Sequence, residues 1–374
     1  MPRYASGGRR HEDGSALPCH RSEGSDGSRG QGPRRRLLAN AGGSPVRSRL
    51  SSAEPRAGTQ SAYGRLRMST EREFQGGKIT EPGIYRGISL AEYHENPDLF
   101  DGPSISKSAL KWLLPSHGGS PKAFWGRWKH NPDHIAQKST DALDFGRAVH
   151  CLILGDEVFA EGFEVRPDQW KDYKPKAAQE WRDEVRAAGK TPITPDDIER
   201  IRRIADDASR YPLVQQGILN GAVERTMVWK DRDTGIWLKC RPDVLAADGI
   251  YADLKTAGKF DEDFLEKQAF DASYYLQGAM TRLVCRELKR PFATFALLYV
   301  LNDDVPDTAH VEMSEHELDR GEREIGWALK TIRKCLDAGE WPGAQPFKGG
   351  ERHLQLKPWV KQKIDDFLDM EEAA

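Results

Sequence analysis

Arg241-Pro242-Asp243, followed ten residues later by Asp253-Leu254-Lys255, is the stretch on which the reading of this chain turns. The second acid sits in an apolar, strand-like run, Ile250-Tyr251-Ala252-Asp253-Leu254-Lys255, just after Asp248-Gly249. Strands joined by a tight Asp-Gly turn form a hairpin, so the spacing predicts one that brings Asp243 and Asp253 together. Alternation along the second strand puts Asp253 and Lys255 on one face. Two carboxylates and an ammonium on one patch suit a hard divalent metal and a phosphate. A plain cross-strand ion pair is the competing explanation. It fits less well, because charges in an apolar strand need compensation.

Working outward, the pattern predicts three consecutive strands. Residues 222–230 alternate, Asp231 to Gly235 turn, residues 236–245 return, and Asp248-Gly249 leads into 250–256. A long amphipathic helix over 261–288 carries Tyr274, Tyr275 and Gln277; strands at 293–301 and 310–313 follow, then helices over 315–338 and 358–372. Upstream, 141–155 reads as a helix with Gly155 at its C-terminal end. Gly146 in mid-helix costs about 1 kcal/mol against alanine and so predicts close packing, and His150 falls one turn later. Residues 174–190 are helical in character, and Thr194-Pro195-Asp196-Asp197 is an N-cap, N1 proline and acidic first turn. Residues 104–114 carry helix caps and an apolar stripe, and Ser120-Pro121 opens another helix. There Phe124, Trp125 and Trp128 interleave with Lys122, Arg127 and Lys129, which suits either a DNA grip or a packed amphipathic helix. Helices alternating with strands in this order predict an α/β domain with a mixed central sheet flanked by helices.

The 374 residues allow one large domain or two ordinary ones. No apolar run is long enough to span a membrane, and the first residues lack the apolar core of a secretory signal. Five scattered cysteines without a CxxC pair signal neither a zinc ribbon nor an iron–sulfur cluster, and they fit a reducing cytoplasm. Residues 1–67 hold thirteen arginines, no lysine and five acids, a net charge of +8, against −10 for the remainder. An acidic body does not advertise nucleic-acid binding by bulk charge, so any DNA site must be a local groove helped by cations. The Gly/Ser/Arg-rich residues 1–75 are expected to be a disordered tail, with Met68 as an alternative start. Arg34-Arg35-Arg36 within it could touch nucleic acid or act as a targeting signal.

Gly146-Arg147-Ala148-Val149-His150, Arg241-Pro242-Asp243, Asp253-Leu254-Lys255 and Tyr274-Tyr275-Leu276-Gln277, in this order, resemble the four motifs of RecB-type nucleases of the PD-(D/E)XK superfamily. Glu224-Arg225-Thr226 and Ile105-Ser106-Lys107-Ser108 look more narrowly like its RecE branch, the exonuclease VIII-like proteins of phages and prophages. The resemblance covers residues 80–345, which it makes a nuclease domain with a restriction-endonuclease-like core; residues 346–374 then form a C-terminal acidic helix. It implies that Asp243, Asp253, the Leu254 backbone carbonyl and His150 bind Mg²⁺ or Mn²⁺, a nitrogen ligand tilting the preference toward manganese. Lys255 would orient the attacking water and stabilise the transition state. Gln277 and Tyr274 would position that water or the DNA backbone. Arg241 would contact a phosphate or merely pair with acids, and Glu224 would be a supporting acid or a ligand to a second metal.

The resemblance further implies a metal-dependent exonuclease acting on the ends of linear double-stranded DNA, 5′ to 3′. It would work in the cytoplasm of a bacterial or phage-infected cell, leaving 3′ single strands for a single-strand annealing protein. It also implies a ring-like homo-oligomer and no membrane contact. The alternatives are a PD-(D/E)XK nuclease with an endonucleolytic or repair role, a non-catalytic DNA-binding scaffold for a recombination protein, and a purely structural domain.

Overall fold

The computed structural model describes residues 71–136, 140–154, 159, 162–223, 225–345 and 355–372. Its centre is a sheet in the order Ile250–Ala257, Thr294–Leu301, Thr308–Glu312. The first pair is parallel, with Asp253 opposite Leu297 and Lys255 opposite Tyr299; the second pair is antiparallel. Parallel strands need a crossover, and helices Glu262–Asp271 and Tyr274–Glu287 supply it. Tyr251, Phe295, Leu297 and Tyr299 are buried in one core with residues of the Tyr274–Glu287 and Glu315–Ala338 helices. Leu254, Leu298 and Val300 on the opposite face are buried with Ala148 and Val149 of helix Asp141–Leu154 and Ile201 and Ile204 of helix Pro195–Ser209. Helices on both faces of a mixed sheet make the α/β architecture expected from the sequence.

A second sheet runs in the order Glu71–Glu73, Gly83–Arg86, Thr226–Lys230, Trp237–Cys240, Ser104–Ile105. Here the strand pattern departs from the expectation. Ile250–Ala257 does not pair with the strand before it. Pro242, which has no N–H to give a ladder, interrupts residues 236–245. Trp237–Cys240 joins the five-stranded sheet, while Val244–Leu245 pairs with Ala222–Val223. The Asp248-Gly249 turn therefore links separate sheets. Gly249 is left-handed, and a Cβ there would meet the backbone of Phe292 and Ala293 at 2.9 Å.

Further differences follow from local chemistry. The helix over 261–288 is two helices, broken at Ser273, whose φ of 58° is left-handed. The helix expected over 104–114 shortens to Lys107–Leu110, because Ser104–Ile105 pairs with Trp237-Leu238. Glu71–Glu73, inside the expected tail, is an edge strand beside Gly83–Arg86. The rest of the tail, Arg34 to Arg36 and Met68 included, lies outside the described residues, as do Gly155 and residues 346–354. Helix Pro358–Glu372 forms as expected and exposes Trp359, Phe367 and Leu368. Thr194 and Ser120 do cap their helices, accepting from Asp197 N and Ala123 N. Phe124 and Trp128 are buried and Trp125 stacks on Trp341 at 4.6 Å, so this aromatic helix packs inward. No helix among the described residues is long and apolar enough to cross a membrane.

Candidate active site

Ile250–Ala257 is an edge strand, so its outward N–H groups need partners outside the sheet. Leu254 N–H donates to Asp243 Oδ2 at 2.6 Å. The other oxygen, Asp243 Oδ1, lies 2.9 Å from His150 Nε2. Helix Asp141–Leu154 brings His150 there by packing close to the strand: a Cβ on Gly146 would sit 3.2 Å from Thr256 Oγ1. The close packing expected at Gly146 is thus observed.

Asp253 is 1% exposed. Its Oδ1 accepts from Gln277 Nε2, and its Oδ2 is paired with the Lys255 ammonium. The Ser273 break aims this segment: a straight helix through 261–288 would not begin afresh at Tyr274, three residues before Gln277. The Tyr274 ring is a face for two cations, with Lys255 Nζ 4.8 Å and Lys107 Nζ 5.1 Å from its centroid. Lys107, to which the motifs assign no role, also donates to the Ala272 carbonyl at 3.0 Å. Its place beside Ser106 and Ser108 was the available signal. Arg241 donates to the Ile88 carbonyl at 2.9 Å and borders the same cavity as His150, Asp243, Gln277 and Lys107, a space of about 510 Å³. Glu224 lies outside the described residues. Leu254 is tied to the site through its N–H, which Asp243 holds.

The electrostatics separate the two acids. Burial and the neighbouring Asp243 raise Asp253 above the ordinary carboxyl range, against the pull of Lys255 and Lys107. Burial also acts to raise Asp243, but His150, Lys255 and the Leu254 N–H outweigh it and hold Asp243 low. Burial would lower His150, yet the charge and hydrogen bond of Asp243 push it up to about 10. Lys255 is likewise opposed by burial and raised by Asp253 and Asp243, so it stays an ammonium. Burial, then the charge of Lys255, pulls Lys107 down to about 7.

Among the described residues, no three His, Cys, Asp or Glu side chains converge as a ready-made metal cluster. The donor chemistry nevertheless fits a hard divalent cation: two buried carboxylates with one imidazole beside them. His150 would have to release its proton to serve as a ligand.

The description "PDDEXK-like domain of unknown function (DUF3799)" matches residues 106–345. The chain belongs to this family. The DUF3799 match begins one residue before Lys107 and takes in His150, Asp243, Asp253, Lys255 and Gln277. PD-(D/E)XK domains generally use divalent metals, and the acid pair with its lysine is the part of this DUF3799 domain suited to one. Among solved structures, a candidate exonuclease from Eubacterium rectale aligns over 74% of this chain and 98% of its own, at 12% identity and a TM-score of 0.49. The alkaline exonuclease LHK-Exo from Laribacter hongkongensis aligns over 44% of this chain and 86% of its own, at 14% identity and a TM-score of 0.23. Its complex with dAMP aligns over the same shares with a TM-score of 0.20. Comparison with curated proteins found no match.

Proposed function

We propose that this protein is a divalent-metal-dependent deoxyribonuclease that digests linear double-stranded DNA from its ends. The observation that carries the reading is the meeting of Asp243, Asp253, Lys255 and Gln277 at one buried edge, with His150 against Asp243. Asp243, Asp253 and His150 would hold Mg²⁺ or Mn²⁺. When bound, the cation supplies Lewis-acid activation of a water and offsets phosphate charge.

The chain's own groups do the remaining work. Lys255, kept protonated by the two acids, suits charge stabilisation and water orientation rather than proton abstraction. The Tyr274 ring faces the ammonium groups of Lys255 and Lys107, and Gln277 fixes the Asp253 carboxylate. Lys107 and Arg241 border the cavity where a phosphate would lie. Digestion from 5′ to 3′, delivery of a 3′ strand to a single-strand annealing protein, a homo-oligomeric ring and a cytoplasmic setting belong to the same reading. They rest on the RecE-like motifs.

A second reading, a DNA-binding scaffold without catalysis, draws on Lys255 and Gln277 already engaging Asp253. Incubation with linear and closed circular duplex DNA, in Mg²⁺, Mn²⁺ or EDTA and beside Asp253→Ala, separates the readings. Metal-dependent loss of the linear DNA alone, absent in the variant, is the expected result. Cutting of circles would make it an endonuclease, and binding without cleavage would leave the scaffold.

A further inference from the structure

Helix Pro358–Glu372 follows the DUF3799 domain and carries an apolar stripe. Val360, Ile364, Phe367 and Leu368 recur at i, i+4, i+7 and i+8, the spacing of a face made to be covered. Among the described residues nothing covers it. All of residues 355–370 are exposed except Val360, which is half-buried; Phe367 is 55% and Leu368 51% exposed. A helix of this length is marginal alone in water, and burial of such a face is what stabilises it. Its charges are sorted around the stripe. Lys361, three residues before Ile364, and Lys363, four before Phe367, border it on either side. Asp365, Asp366 and Asp369 fall on the far side, where Asp366 accepts from Gln362 at 2.7 Å.

The same chain carries a groove of matching character. Helix Glu262–Asp271, strand Thr308–Glu312 and the first half of helix Glu315–Ala338 enclose a space of about 810 Å³. The strand is the outer edge of the central sheet, and its Val311 is 52% exposed. Leu265, Ala269, Val311 and Met313 give the groove an apolar floor, and Glu262, Glu266, Glu312 and Glu317 edge it. Arg320 is the one basic side chain bordering it among the described residues, and it is paired with Glu317. Glu262 and Glu266, one turn apart, have no ion pair among the described residues.

An apolar stripe edged by lysines thus answers an apolar floor edged by glutamates, the pattern of a helix laid in a groove. Both surfaces are open at once in a single chain, so the helix that fills the groove belongs to another copy. Helix and groove are different patches, which makes the contact head-to-tail and repeatable from copy to copy.

We propose that helix Pro358–Glu372 of one copy docks in the groove between helices Glu262–Asp271 and Glu315–Ala338 of the next. The contact is independent of the metal chemistry, and its test reads mass rather than cleavage, so either reading can fail alone. The full chain is run on a sizing column with light scattering over a range of concentrations. Wild type should exceed the mass of one chain. Phe367→Glu/Leu368→Glu in the helix and Val311→Glu in the groove should each run as one chain; all three positions are exposed, and an unchanged melting temperature confirms folding. An equimolar mixture of the two variants should form a two-chain species and nothing larger, because one intact helix then meets one intact groove. Lys361→Glu/Lys363→Glu should raise the concentration needed for assembly on the order of tenfold, and adding Glu262→Lys/Glu266→Lys to the same chain should restore it. A wild type that stays at one chain overturns the proposal and leaves the helix to its own groove. Variants that assemble like wild type, a mixture that stays at one chain, or charge reversal without restoration each overturn it as well.

Discussion

Asp243 Oδ2 accepts the backbone N–H of Leu254 at 2.6 Å, so one acid closes the edge of the strand that carries the other. The acid therefore has a structural duty besides its chemical one. Asp243→Asn can keep an oxygen toward Leu254 N–H, whereas Asp243→Ala leaves that buried donor unsatisfied, at about 1–3 kcal/mol. Both variants should lose cleavage by on the order of 100-fold or more. Only the alanine variant should melt clearly earlier. Equal melting of the two would show that the Leu254 bond contributes nothing.

Asp253 and Lys255 form a buried pair, and breaking such a pair from one side costs about 3–5 kcal/mol. Asp253→Asn and Lys255→Met should each destabilise the protein in urea unfolding. The double variant should lose less than the sum of the two, because neither leaves a charge stranded. Strict additivity would mean the two groups do not interact.

Gln277 donates to Asp253 Oδ1 and so orients the carboxylate. Gln277→Leu removes the donor while keeping the volume. Outer partners of this kind are worth about 10–100-fold in metal affinity or activity. Calorimetric titration with Mn²⁺ and initial cleavage rates should both fall within that range; wild-type values in both would remove Gln277 from the site.

Lys107 has a folded pKa pulled from 10.5 to about 7 by burial and Lys255. Between those two values the unfolded chain keeps a proton that the folded chain has lost, so stability rises with pH across the window. Below about 7 both states are charged and the burial penalty is felt in full. The slope from this one group cannot exceed about 1.4 kcal/mol per pH unit. Lys107→Met should be more stable than wild type near pH 7 and should flatten the rise toward pH 10. Parallel urea-unfolding profiles for the two proteins would contradict this.

Much of this molecule is decided over short stretches, and those parts are legible in the chain. The caps Thr194 and Ser120, the period of residues 315–338 and the alternation around Asp253 each depend on neighbours a few residues apart. Hence the capped helices after Thr194 and Ser120, the helix over 315–338, the shared face of Asp253 and Lys255 and the α/β class follow from sequence. The partners of each strand do not. Alternation states which face is apolar but not which ladder a strand joins. Ile250–Ala257 pairs with Thr294–Leu301, forty-odd residues on, because two helices cross back over the sheet. The Ser273 break that aims Gln277 and the meeting of Lys107 with Lys255 across Tyr274 are products of that packing. They join residues far apart in sequence, and only burial against a common core brings such residues within reach of one another.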